Sequence, residues 1–318
     1  MSRVEHRTVT DAETDVRLDR WFRRHFPSLN HGRLEKLLRK GDVRVDGKRV
    51  RSNYRLKSGQ DIRIPPLSVS NDTELQHFSS QSPPDPKLVQ MLIEGILYED
   101  KDVLVINKPA GIATQGGSGV TSHIDGALDA LKRGAQERPR LVHRLDKDTA
   151  GVLVLARSAK AAADLTHAFR QRDTKKIYWA VVVGCPRVPD GTIEGAVAKH
   201  YGSGGERMRI DTKTGKSAVT EFKVISSAAD KVSWLELQPR EGRTHQLRLH
   251  CAGMATPILG DGKYGGRAAF LADLPGAKKM HLFARSLNLV ISGKKSLTVN
   301  APLPPHIAAT FSYFGFEE

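Results

Sequence analysis

The chain has 318 residues, of which 39% are hydrophobic and 27% charged. That is enough apolar material for about two packed domains, and it excludes overall disorder. Fifty Lys and Arg against 35 Asp and Glu leave a net charge of +15, a field that favours polyanions. Nucleic acid is the leading partner, an anionic membrane surface the rival, and a merely basic protein the plain alternative.

No apolar run approaches the roughly 18 residues of a membrane-spanning helix, so no membrane partner is expected. Cys185 and Cys251 form no motif and read as ordinary thiols of a reducing compartment. Residues 1–16 read as a polar lead-in ending in an edge strand. They contain no apolar signal region, and Glu5, Asp11, Glu13 and Asp15 oppose an organelle transit peptide, so the cytoplasm is the expected location.

Leu18, Trp21, Phe22 and Phe26 recur at helical spacing with Arg17, Arg20, Arg23 and Arg24 between them, and Pro27 ends that helix. Asn30 is placed to cap a second helix with Leu34, Leu37 and Leu38 on one face, Arg33, Lys36, Arg39 and Lys40 on the other, and Gly41 as its stop. Val43-Arg44-Val45 then alternates as a strand, Asp46-Gly47 turns the chain, and Lys48-Arg49-Val50 returns. A further strand, Asp61 to Ile64, stops at Pro65-Pro66. Between Arg17 and Pro66 stand fifteen Lys/Arg and five Asp/Glu, so about ten of the fifteen net positive charges lie in this small αα-β unit. A solvated basic face explains any one of these arginines; a whole unit so biased points to phosphate binding.

With Arg17-Leu18-Asp19-Arg20-Trp21-Phe22, Arg39 through Val50 and Gly59 through Ile64, this stretch resembles the S4 RNA-binding domain. The resemblance covers residues 16–66. It implies a basic surface for structured RNA, with Arg17, Arg20, Arg39, Lys40 and Arg44 as candidate contacts. Residues 67–87, rich in Ser and Pro, read as a mobile linker. A second domain is expected over 88–318.

That domain opens with a hairpin, Ile96 to Asp100 and Val103 to Asn107. A glycine-rich loop follows at Lys108 to Gly117; it lacks the Gly-Lys-Ser/Thr ending of a phosphate loop, so its glycines read as a close-packed turn. Helices are expected over 124–133 and 159–172, and strands over 175–184, 191–195, 217–224, 234–239, 282–290 and 296–299. A basic loop fills 202–216, and a helix starts at Thr244. Many strands and few helices predict an α+β domain on a large, mostly antiparallel sheet with flanking helices.

The chemistry concentrates in His143-Arg144-Leu145-Asp146-Lys147-Asp148-Thr149-Ala150-Gly151. A carboxylate flanked by Arg144 and Lys147 stays ionised at neutral pH and suits a nucleophile or base. Asp148 is the only local partner for a two-carboxylate mechanism, but Asp148-Thr149 reads equally as a turn or cap. His143, Asp146 and Asp148 as metal ligands is the weaker alternative, since no further acidic cluster supports it. His245 and His250 are spaced i, i+5 with no Glu between, unlike a zinc helix, and His245 reads as a structural hydrogen-bonder. Arg243 and Arg248 suit a buried carboxylate or a phosphate. Tyr178 offers either a stacking face for a base or a core ring.

Residues 143–151 resemble the His-Arg-Leu-Asp signature of the RluA-type pseudouridine synthases. Asn107-Lys108-Pro109-Ala110-Gly111, Lys176-Ile177-Tyr178-Trp179-Ala180, Gly242 through His250 and Pro257 through Asp261 match that family's other motifs in order. The S4-like start is most similar to the RluC-like branch. The resemblance implies a pseudouridine synthase fold and a cofactor-free, metal-free isomerisation of uridine in 23S large-subunit ribosomal RNA, either naked or in a precursor particle, by a monomer. It implies Asp146 as the catalytic aspartate, Tyr178 stacked on uracil and supporting proton handling, and Arg248 paired with Asp146. It also implies Arg144 replacing the extruded base, Leu287 lining the pocket and Arg243 on the RNA backbone. Two alternatives stay open: the same reaction on transfer RNA or at other ribosomal positions, and a non-catalytic ribosome-assembly factor on this scaffold.

Overall fold

The structure, a computed structural model, describes residues 4–29, 31–67, 84–117, 120, 122–171, 173–202, 205–272, 274, 276–291 and 296–318. Asn30 and most of the expected linker lie outside the described residues. The chain divides into two compact units, Met1–Ser82 and Pro83–Glu318.

In the first unit, α1 (Leu18–His25) and α2 (His31–Lys40) pack on a three-stranded sheet. The strands are β1 (Glu5–Thr8), β2 (Arg44–Val45) and β3 (Asp61–Ile64), in the order β1-β3-β2. Leu18, Trp21 and Phe22 of α1 and Leu34 and Leu38 of α2 are buried against Val45, Ile62 and Ile64. The expected return strand at 48–50 shrinks to a single bridge from Lys48 to Val45. Asp61 to Ile64 supplies the pairing instead, with Val45 opposite Ile62. The reason is burial: Ile62 and Ile64 put two apolar side chains into the core, whereas Lys48 and Arg49 are exposed.

The second unit opens with α3 (Pro86–Glu94). Asp85 accepts from the Lys87 amide at its start, and Pro86 stands where no N–H is needed. Pro86 and Lys87, which composition alone assigns to the linker, are therefore helical. The sheet that follows uses β4 (Ile96–Glu99), β5 (Val103–Lys108), β6 (Arg140–Leu141), β7 (Ala150–Ala156), β8 (Lys175–Val183), β9 (Asp190–Gly202) and β10 (Gly205–Ile210). It continues with β11 (Lys216–Ala228), β12 (Val232–Pro239), β13 (Leu282–Leu289) and β14 (Leu297–Asn300). Its path is β10-β9-β11-β12-β8-β13-β7-β5-β4, with β14 on β13 and β6 on β7. Every pairing is antiparallel except β13 with β7. The mixed, mostly antiparallel α+β architecture matches the expectation from strand count.

Around the sheet lie α4 (Ile124–Ala127), α5 (Ala159–Ala168), α6 (Gln246–Gly253), α7 (Gly262–Gly265) and α8 (Pro305–Phe314). The helix expected over 124–133 is one α turn continued by a 3-10 turn over Leu128–Leu131. The basic loop expected over 202–216 is instead largely strand: β10 pairs back onto β9, with Met208 opposite Lys199. Charge and glycine hide the short alternation Arg207-Met208-Arg209-Ile210.

β7 is buried along its whole length, sandwiched between strands and helices, and it anchors the charged loop that precedes it. Where β7 meets β13, Gly151 has φ +105°, and a Cβ there would overlap the Ala284 carbonyl. Only glycine lets β13 approach this closely, so the loop at 143–149 opens directly beside β13 and, one strand further, Tyr178 of β8.

Candidate active site

The loop before β7 is held from several sides. Leu145 donates its amide to Thr114 Oγ1 (3.2 Å) and accepts the same hydroxyl at its carbonyl (2.7 Å), both groups buried. Thr149 donates to the Asp146 carbonyl at 3.2 Å, closing a turn over 146–149. That turn separates the two carboxylates. Asp146 lines a slot of about 80 Å³ with Arg144, Tyr178, Arg243, His245 and Leu282. Asp148 is exposed and lines a larger groove of about 1040 Å³ with Lys147, Lys263, Lys278 and Lys279. His245 and Arg248 border both. The slot has the volume of a few water molecules.

Beneath the loop lies Lys108, fully buried at the end of β5. Its ammonium donates to the carbonyls of Pro109 (2.9 Å), Ile112 (2.7 Å) and Lys147 (3.0 Å). Burial pushes its pKa down to about 7, while the charges of Asp148 and Asp146 hold it up. Sequence reasoning gave this lysine no role. Its signal was strand parity, since Leu104, Ile106 and Lys108 alternate onto one buried face.

Tyr178 is half-buried, packs against the core and lines the slot. Burial first, and the Asp146 charge second, push its pKa well up, so the phenol is neutral and its ring is the useful feature. Arg144 is exposed at the rim. Arg243 is exposed too, donating to the Ser217 carbonyl at 3.2 Å.

Two expectations need correction. Arg248 does not pair directly with Asp146. Its guanidinium forks onto Asp261, Nε to Oδ2 at 2.7 Å and Nη2 to Oδ1 at 2.6 Å, with both groups buried. Its positive charge still interacts with Asp146, and Asp261 is the nearer partner because two parallel bonds match the guanidinium fork. Leu287 does not line the slot. It is buried in the core among β5 and β7 residues, and Leu282 takes the pocket wall. Past the bulge between Ala284 and Ser286, Leu287 pairs with Lys176, two residues along β8 from Tyr178.

The helix expected from Thr244 starts at Gln246, because His245 is left-handed with φ 56° and ψ 22°. His143 is half-buried: its Nε2 accepts the Val154 amide at 2.8 Å, its ring stacks on Phe169 at 4.4 Å, and loss of solvent around it pushes its pKa down to about 3. It is a neutral structural histidine. Among the described residues no group of three His, Cys, Asp or Glu comes together to hold a metal, and no helix is long and apolar enough to cross a membrane.

In the first unit, Arg20, Arg23, Arg24, Lys36, Arg39 and Lys40 are exposed along α1 and α2. Arg17 forks onto Asp19 at 3.1 and 2.5 Å, and Arg44 donates to the carbonyls of Gly41 (3.0 Å) and Gly47 (3.2 Å). These two spend their guanidinium groups on their own unit, which favours Arg20, Arg39 and Lys40 over them as phosphate contacts.

Comparison with known proteins places this geometry. Residues 102–253 match the family model described as RNA pseudouridylate synthase, and residues 16–62 match the S4 domain. The chain is 35% identical over 297 residues to "Ribosomal large subunit pseudouridine synthase C" of Rickettsia bellii, covering 91% of this chain and 95% of that one. It is 36% identical over 304 residues to the protein of the same name in Rickettsia typhi, covering 93% and 97%. The solved structure "Human RNA Pseudouridylate Synthase Domain Containing 4" superposes with a TM-score of 0.61 at 30% identity, over 73% of this chain and 97% of that one.

Proposed function

Because the chain belongs to the RNA pseudouridine synthase family and carries an S4 domain, we propose that it converts specific uridines of 23S large-subunit ribosomal RNA to pseudouridine, with Asp146 as the essential catalytic residue. The observation that carries the site is the slot itself: one carboxylate beside a half-buried, neutral tyrosine, in a space of about 80 Å³. The ribosomal target rests on relatives named large-subunit synthases, similar over nine-tenths of the chain.

The reaction breaks the N-glycosidic bond of uridine, turns the uracil and joins C5 to C1′. Atoms are conserved within one nucleotide, so no cofactor is called for. Asp146 acts through its carboxylate oxygen, whether that oxygen attacks C1′ or takes the 2′ proton. Tyr178 lies under the uracil, and stacking holds the freed base while it turns. Arg144, at the rim, occupies the gap left by the extruded nucleotide, offsetting an unstacking cost of a few kcal/mol. Arg248 acts through Asp261 to fix the slot's wall, and Arg243 meets the RNA backbone. The domains are the S4-like unit at 16–66 and the synthase domain to 318, acting as a monomer in the cytoplasm on ribosomal RNA, naked or in a precursor particle.

Mapping pseudouridines across all RNA of cells lacking this chain tests the target. Loss at defined large-subunit positions, restored by the wild-type chain, is expected; loss confined to transfer RNA would refute it. The S4 surface makes a separate prediction. Reversing Arg20, Arg39 and Lys40 together to Glu should weaken binding to ribosomal RNA and flatten its salt dependence, by about 0.7–0.9 in log–log slope for each phosphate that is no longer neutralised. An unchanged slope measured by filter binding over a salt series would remove these residues from the interface.

A further inference from the structure

Beside the slot, Tyr264 is hydrogen-bonded to His245, whose other ring nitrogen faces the proposed catalyst. Tyr264 and Met208 of the edge strand β10 pack on the same small apolar cluster beside the slot. Burial raises the Tyr264 pKa, so its hydroxyl keeps a proton that it can donate to His245 Nδ1, 2.6 Å away. With Nδ1 accepting, a neutral imidazole carries its proton on Nε2. That nitrogen is 3.9 Å from Asp146 Oδ2, and its side chain is 18% exposed. The left-handed backbone of His245 turns the ring toward the slot, a conformation that a non-glycine residue rarely adopts without compensation. Tyr264 is itself fixed, since Asp261 accepts from its amide while gripping Arg248.

We propose that His245, oriented by Tyr264, is a positioning residue that donates its Nε2 proton to the Asp146 carboxylate when substrate closes the slot. The proposal rests on the reading of Asp146 as the catalyst. At 3.9 Å the two atoms are about 1 Å beyond a hydrogen bond; catalytic contacts of this kind commonly tighten only in the substrate complex. Burial, helped by Arg248 and Lys263, pushes the His245 pKa below its ordinary value against the pull of Asp146 and Asp261, so the ring is neutral and holds one proton. A second charge on the ring is not needed: one directed N–H fixes which carboxylate oxygen is left free to react.

The test measures pseudouridine formation on ribosomal RNA at saturating and limiting substrate, together with RNA binding. His245→Leu should lower kcat about 100-fold with KM and RNA affinity nearly unchanged, the scale of losing one preorganised donor. Tyr264→Phe should lower kcat about tenfold, since the ring stays but its tautomer is no longer fixed. His245→Gln, whose amide supplies an N–H near the Nε2 position, should recover most of the loss. Equal damage from Gln and Leu would show that the ring only fills space, and wild-type kcat in the Leu variant would overturn the proposal outright. If His245→Leu fails to fold, the Tyr264→Phe and His245→Gln variants decide the matter. Asp146→Asn is assayed in parallel: activity there removes the catalytic reading itself, whereas an inactive Asn variant beside a fully active His245→Leu removes only this inference.

Discussion

Asp146→Asn should abolish pseudouridine formation, lowering kcat by about four orders of magnitude or more, while RNA affinity stays within about threefold. The substitution is nearly isosteric and leaves the turn intact, because the turn uses the Asp146 backbone carbonyl, which accepts from Thr149. What is lost is the charge, and with it the nucleophile or base. The same charge acts on Tyr178, His245 and Arg248 around the slot. Its removal therefore has a second, independent signature: the His245 pKa, already below its ordinary value, should fall further, because Asp146 is a group holding it up. A histidine titration followed by NMR checks this in folded, inactive protein. Conversion of uridine at a normal rate by the Asn variant would disprove the catalytic assignment.

The reach of the sequence differs from residue to residue, for physical reasons. β7 was legible because Val152-Leu153-Val154-Leu155 is an unbroken apolar run, and α1 because Leu18, Trp21 and Phe22 repeat at helical spacing. Asp146 was singled out because a carboxylate between two cations stands out locally. Residue types alone left it level with Asp148, and only the family resemblance set them apart; in the fold, the turn over 146–149 sends one to the slot and the other to the groove. The Arg248–Asp261 fork and the Tyr264–His245 bond link residues 13 and 19 positions apart, across a loop with no periodicity. Such pairings depend on tertiary packing that no local pattern encodes. Leu287 is a different case: its place at the pocket was implied by the resemblance alone, and in the fold it packs in the core with β5 and β7.

Lys108→Met should destabilise the synthase unit by about 3 kcal/mol at neutral pH, a fall of roughly 10 °C in Tm for a unit of this size. Methionine fills much of the same space, so the loss is not a cavity effect. It comes from three carbonyls, of Pro109, Ile112 and Lys147, left without the donor that they share. The lysine also carries a pH signature. Its folded pKa is pushed from 10.5 down to about 7. Below about pH 7 both folded and unfolded chains hold the proton, and the burial penalty is felt in full. Between about 7 and 10.5 the unfolded chain keeps the proton while the folded chain has released it, so this group's contribution to stability rises with pH and then levels off. Relative to Lys108→Met, the wild type should thus gain about 2 kcal/mol between pH 7 and pH 9. Denaturant unfolding of both proteins at the two pH values measures this difference directly. Parallel pH dependence in the two would mean that the ammonium stays charged throughout, held by its three carbonyls and the two aspartates. Because Lys147 directly follows Asp146, release of its carbonyl should also loosen the catalytic turn, and kcat should fall in the Met variant even at temperatures where it remains folded.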